Sequence, residues 1–116
     1  MEDWIPKLER LGDSIQARLS FAQTRYESGE YDLALAEVET VLRMDPASAD
    51  AHLLRAAVFY DRGDCAGARR EALEAARLDP SNAKAFLLAS NAAAEQEDYD
   101  AATRAAERAT DADPSY

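Results

Sequence analysis

The chain has 116 residues, 47% of them hydrophobic, with four glycines, four prolines and a formal net charge of −10. That length gives one domain with enough apolar content for a core, which argues against extended disorder. The negative charge, with no basic stripe to offset it, argues against nucleic acid or anionic membrane as partners, because phosphates would repel the surface.

A 34-residue period organises the chain, marked by Asp45-Pro46, Asp79-Pro80 and Asp113-Pro114. A constant period of this size means one supersecondary unit copied in tandem. Ahead of the first unit, residues 1–14 read as a short helical segment. Shifting the period back aligns Trp4 with Val38, Leu8 with Leu42 and Gly12 with Pro46. Trp4, Ile5, Leu8 and Leu11 are too apolar for a free tail, while Pro6 limits the helix to a turn or two or kinks it. The segment either caps the first unit's apolar edge or docks on a neighbouring molecule. A monomer or weak homodimer depending on these four residues is expected.

The three units span 15–48, 49–82 and 83–116. Their first helices run over about 15–28, 49–62 and 83–96, and their second helices over about 31–44, 65–78 and 99–112. Asp13 or Ser14, Ser48, and Ser81 or Asn82 serve as N-caps of the first helices, and Asp64 and Asp98 can cap second helices. Each Asp-Pro stops a helix, since Pro disfavours helical geometry in the residue before it. Gly29-Glu30-Tyr31, Gly63-Asp64-Cys65 and Glu97-Asp98-Tyr99 recur at the turn in each unit. Small residues recur too, as Ala22, Ala56 and Ser90 and as Ala34, Ala68 and Ala102. In the last helix Thr103, Thr110 and Ala112 replace Leu35, Leu42 and Met44, which suits a face turned to water.

These residues resemble the signature of the tetratricopeptide repeat (TPR) family: small eighth and twentieth places, Gly-Asp-Tyr at the turn and Asp-Pro at the end. The resemblance implies an all-α fold, a right-handed α-solenoid of three helix-turn-helix units plus the short N-terminal helical segment. Two departures stand out. The fourth place, often Trp in the family, holds Arg18, His52 and Phe86, and Glu97 replaces the turn glycine of the third unit.

Catalytic signatures are absent. There is no phosphate loop, no His-Glu-x-x-His and no Cys-x-x-Cys, and His52 is the only histidine. Neither enzymatic activity nor a cofactor is expected. His52 and the lone Cys65 read as packing residues. No apolar run approaches the roughly 20 residues that span a bilayer, and the acidic Met1-Glu2-Asp3-Trp4 start is no signal peptide. A cytoplasmic chain without membrane insertion is expected, unless a targeting sequence has been removed.

In the family the first helices line a concave groove. Carried over by position, the partner-binding face holds Leu19, Gln23 and Tyr26 in the first unit. It continues with Leu53, Ala57, Tyr60 and Asp61 in the second, and Lys84, Leu87, Asn91 and Glu95 in the third. Gln16, Asp50, Leu54 and Leu88 lie on the same face, although Leu54 and Leu88 read first as core. Leu19-Gln23-Tyr26 and Leu53-Ala57-Tyr60 repeat at i, i+4 and i+7, one helical face. Glu27, Asp61 and Glu95 form an acidic row. As solvated helix ends they would look the same, and the overall charge also serves solubility.

Co-chaperones of the carboxylate-clamp type, within that family, grip a C-terminal carboxylate with Lys and Asn at five places. Here those places hold Leu19, Gln23, Leu54, Lys84 and Leu88, of which only Lys84 fits. The sequence therefore reads as a protein-interaction module for a basic or amphipathic peptide segment, a scaffold or chaperone-like adaptor. The alternative is a self-assembling structural protein that uses the solenoid ends or the N-terminal segment.

Overall fold

The structure, a computed structural model, describes the backbone of residues 4–115 and the side chains of residues 14–115. Six α-helices follow in order: α1 (Trp4–Glu27), α2 (Tyr31–Met44), α3 (Ala49–Asp61), α4 (Cys65–Leu78), α5 (Ala83–Glu95) and α6 (Tyr99–Ala112). Five of them match the expected spans closely. The first does not start at residue 15: Trp4 to Glu27 is one uninterrupted helix, so neither Asp13 nor Ser14 caps a helix start. Pro6 falls in its first turn, where a missing backbone N–H costs nothing. The expected roles of Trp4, Ile5, Leu8 and Leu11 fall on side chains outside the described set.

Local chemistry sets the other boundaries. Ser48, Asp64, Asn82 and Asp98 each accept a hydrogen bond from the backbone N–H three residues on, as N-caps. Each Asp-Pro does more than stop a helix. Asp45, Asp79 and Asp113 are extended, and each Oδ1 accepts from the N–H two residues on, at 3.1, 3.2 and 3.1 Å. These are Asx turns, which bend the chain toward the next helix.

At the turn within each unit, Gly29, Gly63 and Glu97 adopt φ of 77°, 86° and 62°. Glycine takes this left-handed conformation freely, and a side chain does not. Glu97→Gly is therefore expected to stabilise the chain by about 1 kcal/mol, read as a raised urea midpoint. A midpoint that falls would show that the Glu97 side chain compensates for its backbone.

Each helix packs on the next, and α1, α3 and α5 also touch in sequence. Among the described residues the backbones of α2 and α4 stay apart, as do those of α4 and α6. The second helices therefore splay apart on one side while the first helices line the other. The core runs between the layers and is built mostly of alanine. Ala34, Val38 and Val41 of α2 are fully buried, as are Ala68, Ala72 and Ala75 at the same places in α4. Small side chains let helices approach closely, and the period places them at each crossing. Ser90 is the polar member of its series, and its hydroxyl donates to the Ala102 carbonyl at 2.7 Å. Cys65, expected as core, is only partly buried.

The fourth place shows two chemistries for one contact. Arg18 Nη1 donates to Glu37 Oε2 at 3.3 Å. One unit later His52 Nδ1 lies 3.0 Å from Glu71 Oε1, at the same sequence offset, and its Nε2 lies 3.1 Å from the Pro46 carbonyl oxygen. Arg55 Nε joins Glu71 at 3.4 Å. The third unit replaces this pair with Phe86 and Ala105, both buried, and the Arg108 guanidinium lies 4.7 Å over the Phe86 ring.

Candidate binding groove

The layer of α1, α3 and α5 encloses an open cavity of about 580 Å³. Helical spacing brings its walls together. Gln16, Leu19, Ser20, Gln23 and Tyr26 come from α1, Asp50, Leu53, Leu54 and Ala57 from α3, and Lys84 and Leu88 from α5. Leucines and Ala57 form the floor, and amides, Asp50 and Lys84 supply the polar groups. Leu54 serves two roles: it is 7% exposed within the first core cluster and still lines the cavity.

Of the residues expected to bind a partner, Leu19, Gln23, Tyr26, Leu53, Ala57 and Lys84 line this cavity. Tyr60, Asp61, Leu87, Asn91 and Glu95 lie outside its lining. Leu87 and Asn91 are exposed on α5. Ser20, which had no apolar or charged signal, is the one lining residue absent from the expected face. Its place one turn on from Gln16 could have indicated it.

Tyr60, Asp61 and Glu95 belong to a second arrangement. The Tyr31 hydroxyl donates to Asp61 Oδ2 at 3.2 Å, and the Tyr60 hydroxyl reaches Glu95 Oε1 at a long 3.5 Å. Tyr26 and Tyr31 lie ring to ring, with centroids 5.9 Å apart. Burial, then the hydrogen bond and charge of Asp61, push the Tyr26 hydroxyl up to about 12. The same causes raise Tyr31, and burial followed by the Glu95 charge raises Tyr60. A carboxylate beside a phenol favours the protonated donor. Each tyrosine thus stitches its unit to the carboxylate of the next. Arg62 adds to the first stitch, pairing with Asp32 and lying 5.8 Å over the Tyr31 ring. The acidic row is therefore partly engaged within the chain.

Among the described residues no cluster of His, Cys, Asp and Glu could hold a metal ion, and no helix is long and apolar enough to cross a membrane.

Helix pairs in sequential packing, with a groove along the first helices, define a helical repeat solenoid. The model of the tetratricopeptide repeat matches residues 19–83, more than half of the chain, which belongs to that family. Among solved structures, the first TPR of Spaghetti (RPAP3), bound to the HSP90 peptide SRMEEVD, superposes with a TM-score of 0.84 at 19% identity, covering 90% of this chain and 82% of that one. The Arabidopsis OM64 TPR domain gives a TM-score of 0.84 at 19% identity, covering 90% and 86%. The N-terminal domain of stress-induced protein-1 from C. elegans gives 0.79 at 20% identity, covering 89% and 87%. At such identities the likeness carries the fold alone. No curated protein matches the chain by sequence.

Proposed function

We propose that this chain is a protein-interaction module that holds a basic or amphipathic segment of a partner in the groove of α1, α3 and α5. The observation that carries this reading is the cavity of about 580 Å³ with a leucine floor and polar groups around it. Such a shape suits an extended or helical segment that buries apolar anchors. The peptide bound to the Spaghetti domain supports the same mode of use for this architecture. The chemistry differs from a carboxylate clamp. Leu19, Gln23, Leu54, Lys84 and Leu88 all line the cavity, but only Lys84 supplies a cation. An apolar anchor fits there better than a chain-terminal carboxylate. Asp50 beside the floor, Glu27 and Asp61 against the lining residues Gln23 and Tyr26, and the net charge of −10 favour a basic partner. Asp61 keeps acceptor sites beyond those its tyrosines use. The proposed action is binding, without chemistry or cofactor.

The test uses a synthetic amphipathic helix of Leu and Lys, followed by fluorescence anisotropy. Ala57→Arg places a long cationic side chain on the groove floor. It is expected to weaken binding at least about tenfold, near 1.4 kcal/mol, with unchanged helical circular dichroism. Asp61→Lys with Glu95→Lys should weaken binding too, and less so at high salt as screening shortens the field. Normal binding by folded Ala57→Arg would move the site elsewhere.

A further inference from the structure

The splayed second helices leave a crevice of about 210 Å³ between α4 and α6, with α5 as its base. Ala89 and Ala93 of α5 and Ala105 of α6 make its floor, and Leu73, 43% exposed, stands at its edge. Three arginines line it: Arg69, Arg104 and Arg108. Asp98 holds Arg69 at 3.1 Å. Among the described residues no carboxylate lies within 4.0 Å of Arg104 or Arg108. In a chain of net charge −10 this is a concentrated basic spot on an apolar crevice.

The chain carries its own comparison one period earlier. There Arg55 and Phe59 stand where Ala89 and Ala93 stand here. The Arg55 guanidinium lies 5.7 Å over the Phe59 ring and pairs with Glu71, and Arg55 also borders an open cavity of about 310 Å³ with Glu39, Leu42 and Arg43. Gly67 leaves room beside the ring: a Cβ on it would meet the Asp64 carboxylate at 2.5 Å and Phe59 at 3.0 Å. Ala101 occupies that place in the third unit. The facing helix changes as well, because Glu71 and Glu74 of α4 give way to Ala105 and Arg108 of α6. The earlier unit thus carries a partial plug, a ring and an arginine beside two carboxylates, where the later one has three alanines and Arg108. In the later unit no carboxylate is among the lining residues, and the one beside them is Asp98, which pairs with Arg69 and feels the charge of Arg104.

We propose that the crevice between α4 and α6 is a second docking site, which takes an acidic segment of a partner protein through one large apolar side chain. Its volume, below the ~300 Å³ of ordinary small-molecule pockets, suits a single Leu, Phe or Trp anchor. Arg104 and Arg108 would receive carboxylates flanking that anchor, a contact arginine makes with directed, paired hydrogen bonds. The site is independent of the groove. Lys84 and Leu88 line the groove from one face of α5, and Phe86, Ala89 and Ala93 line the crevice from another. A module with both sites would join a basic or amphipathic segment on one side to an acidic one on the other.

The probe is a blocked peptide, Glu-Glu-Leu-Phe-Glu-Glu, titrated into the full chain with amide chemical shifts as readout. Shifts should concentrate in α5 and α6 around Ala93 and Arg104. The same peptide with Lys for Glu, or with Gly for Leu and Phe, should bind at least about tenfold more weakly. Arg104→Glu with Arg108→Glu should lose binding to a similar degree. Ala93→Phe with Ala101→Gly transplants the earlier plug and should block the crevice while leaving the charges in place. Ala57→Arg, in the groove, should change nothing. Binding that survives both the charge reversal and the plug, or shifts confined to the groove, would overturn the proposal. So would no binding at millimolar peptide. Sedimentation of the wild type covers one further outcome: a dimer abolished by the charge reversal would make the occupant a second copy of this chain and overturn the partner assignment.

Discussion

Glu71→Ala is expected to destabilise the chain by about 3 kcal/mol, and His52→Phe in the same molecule to recover most of that loss. Glu71 is 7% exposed and its carboxylate receives His52, Arg55 and Arg70. Removing the acid leaves the His52 Nδ1 in a mostly buried place without its partner. Breaking one member of a buried pair is more harmful than replacing both with apolar groups. The chain itself contains the apolar replacement, since Phe86 and Ala105 occupy the same two places one unit later. The His52 side chain keeps 15% of its surface open, and Arg55 and Arg70 can turn to water, so the loss stays toward the low end for such a pair. Urea denaturation of wild type, both single variants and the double variant closes the cycle. Additive effects would show that the two residues do not act as a unit.

Ala68→Leu is expected to cost up to about 3 kcal/mol through overpacking. Ala68 has no exposed surface, and α3 and α4 meet along its helix. Extra methylenes there must separate the two helices or force poor rotamers. Ala102 holds the same place in the last unit and is 9% exposed. Ala102→Leu should therefore destabilise less in this chain, because among the described residues α6 packs on α5 alone. Equal losses at the two positions would mean that the tight contact lies within each hairpin and owes nothing to the next unit. An unchanged midpoint for Ala68→Leu would remove the crossing from the account altogether.

Much of the fold was legible because the repeat states each instruction three times. The Asp-Pro pairs and the alanines at helix crossings mark the same boundaries in every unit, and the turn glycines do so in two of the three. Where the chain departs from its own period, reading was harder. Pro6 and Gly12 suggested a broken N-terminal segment, yet a proline in the first turn is compatible with the continuous α1. The groove face was carried over by position from the family resemblance, with helical spacing in support, and six of the eleven residues expected to bind do line the cavity. Tyr60 and Glu95 turn to one another and Asp61 turns to Tyr31, because partners across units are set by packing and not by spacing along one helix. The crevice between α4 and α6 was invisible for a related reason. Alanine signals helix and core in a sequence, and only the packed helices show where it leaves space.

Helix contacts that stop at near neighbours also set an order of assembly during synthesis. Among the described residues the backbones of α1 and α2 do not pack against those of α5 or α6. The first hairpin can therefore settle as soon as α3 has followed it out of the ribosome, and each later hairpin has a finished surface to fold against. Such short-range topology favours rapid folding. A nascent chain that has reached Asp79 already holds the α1 and α3 walls of the groove, with Leu19, Leu53 and Ala57 in place. The α5 wall, with Lys84 and Leu88, arrives last, so the groove is completed from one side, after most of its floor has formed.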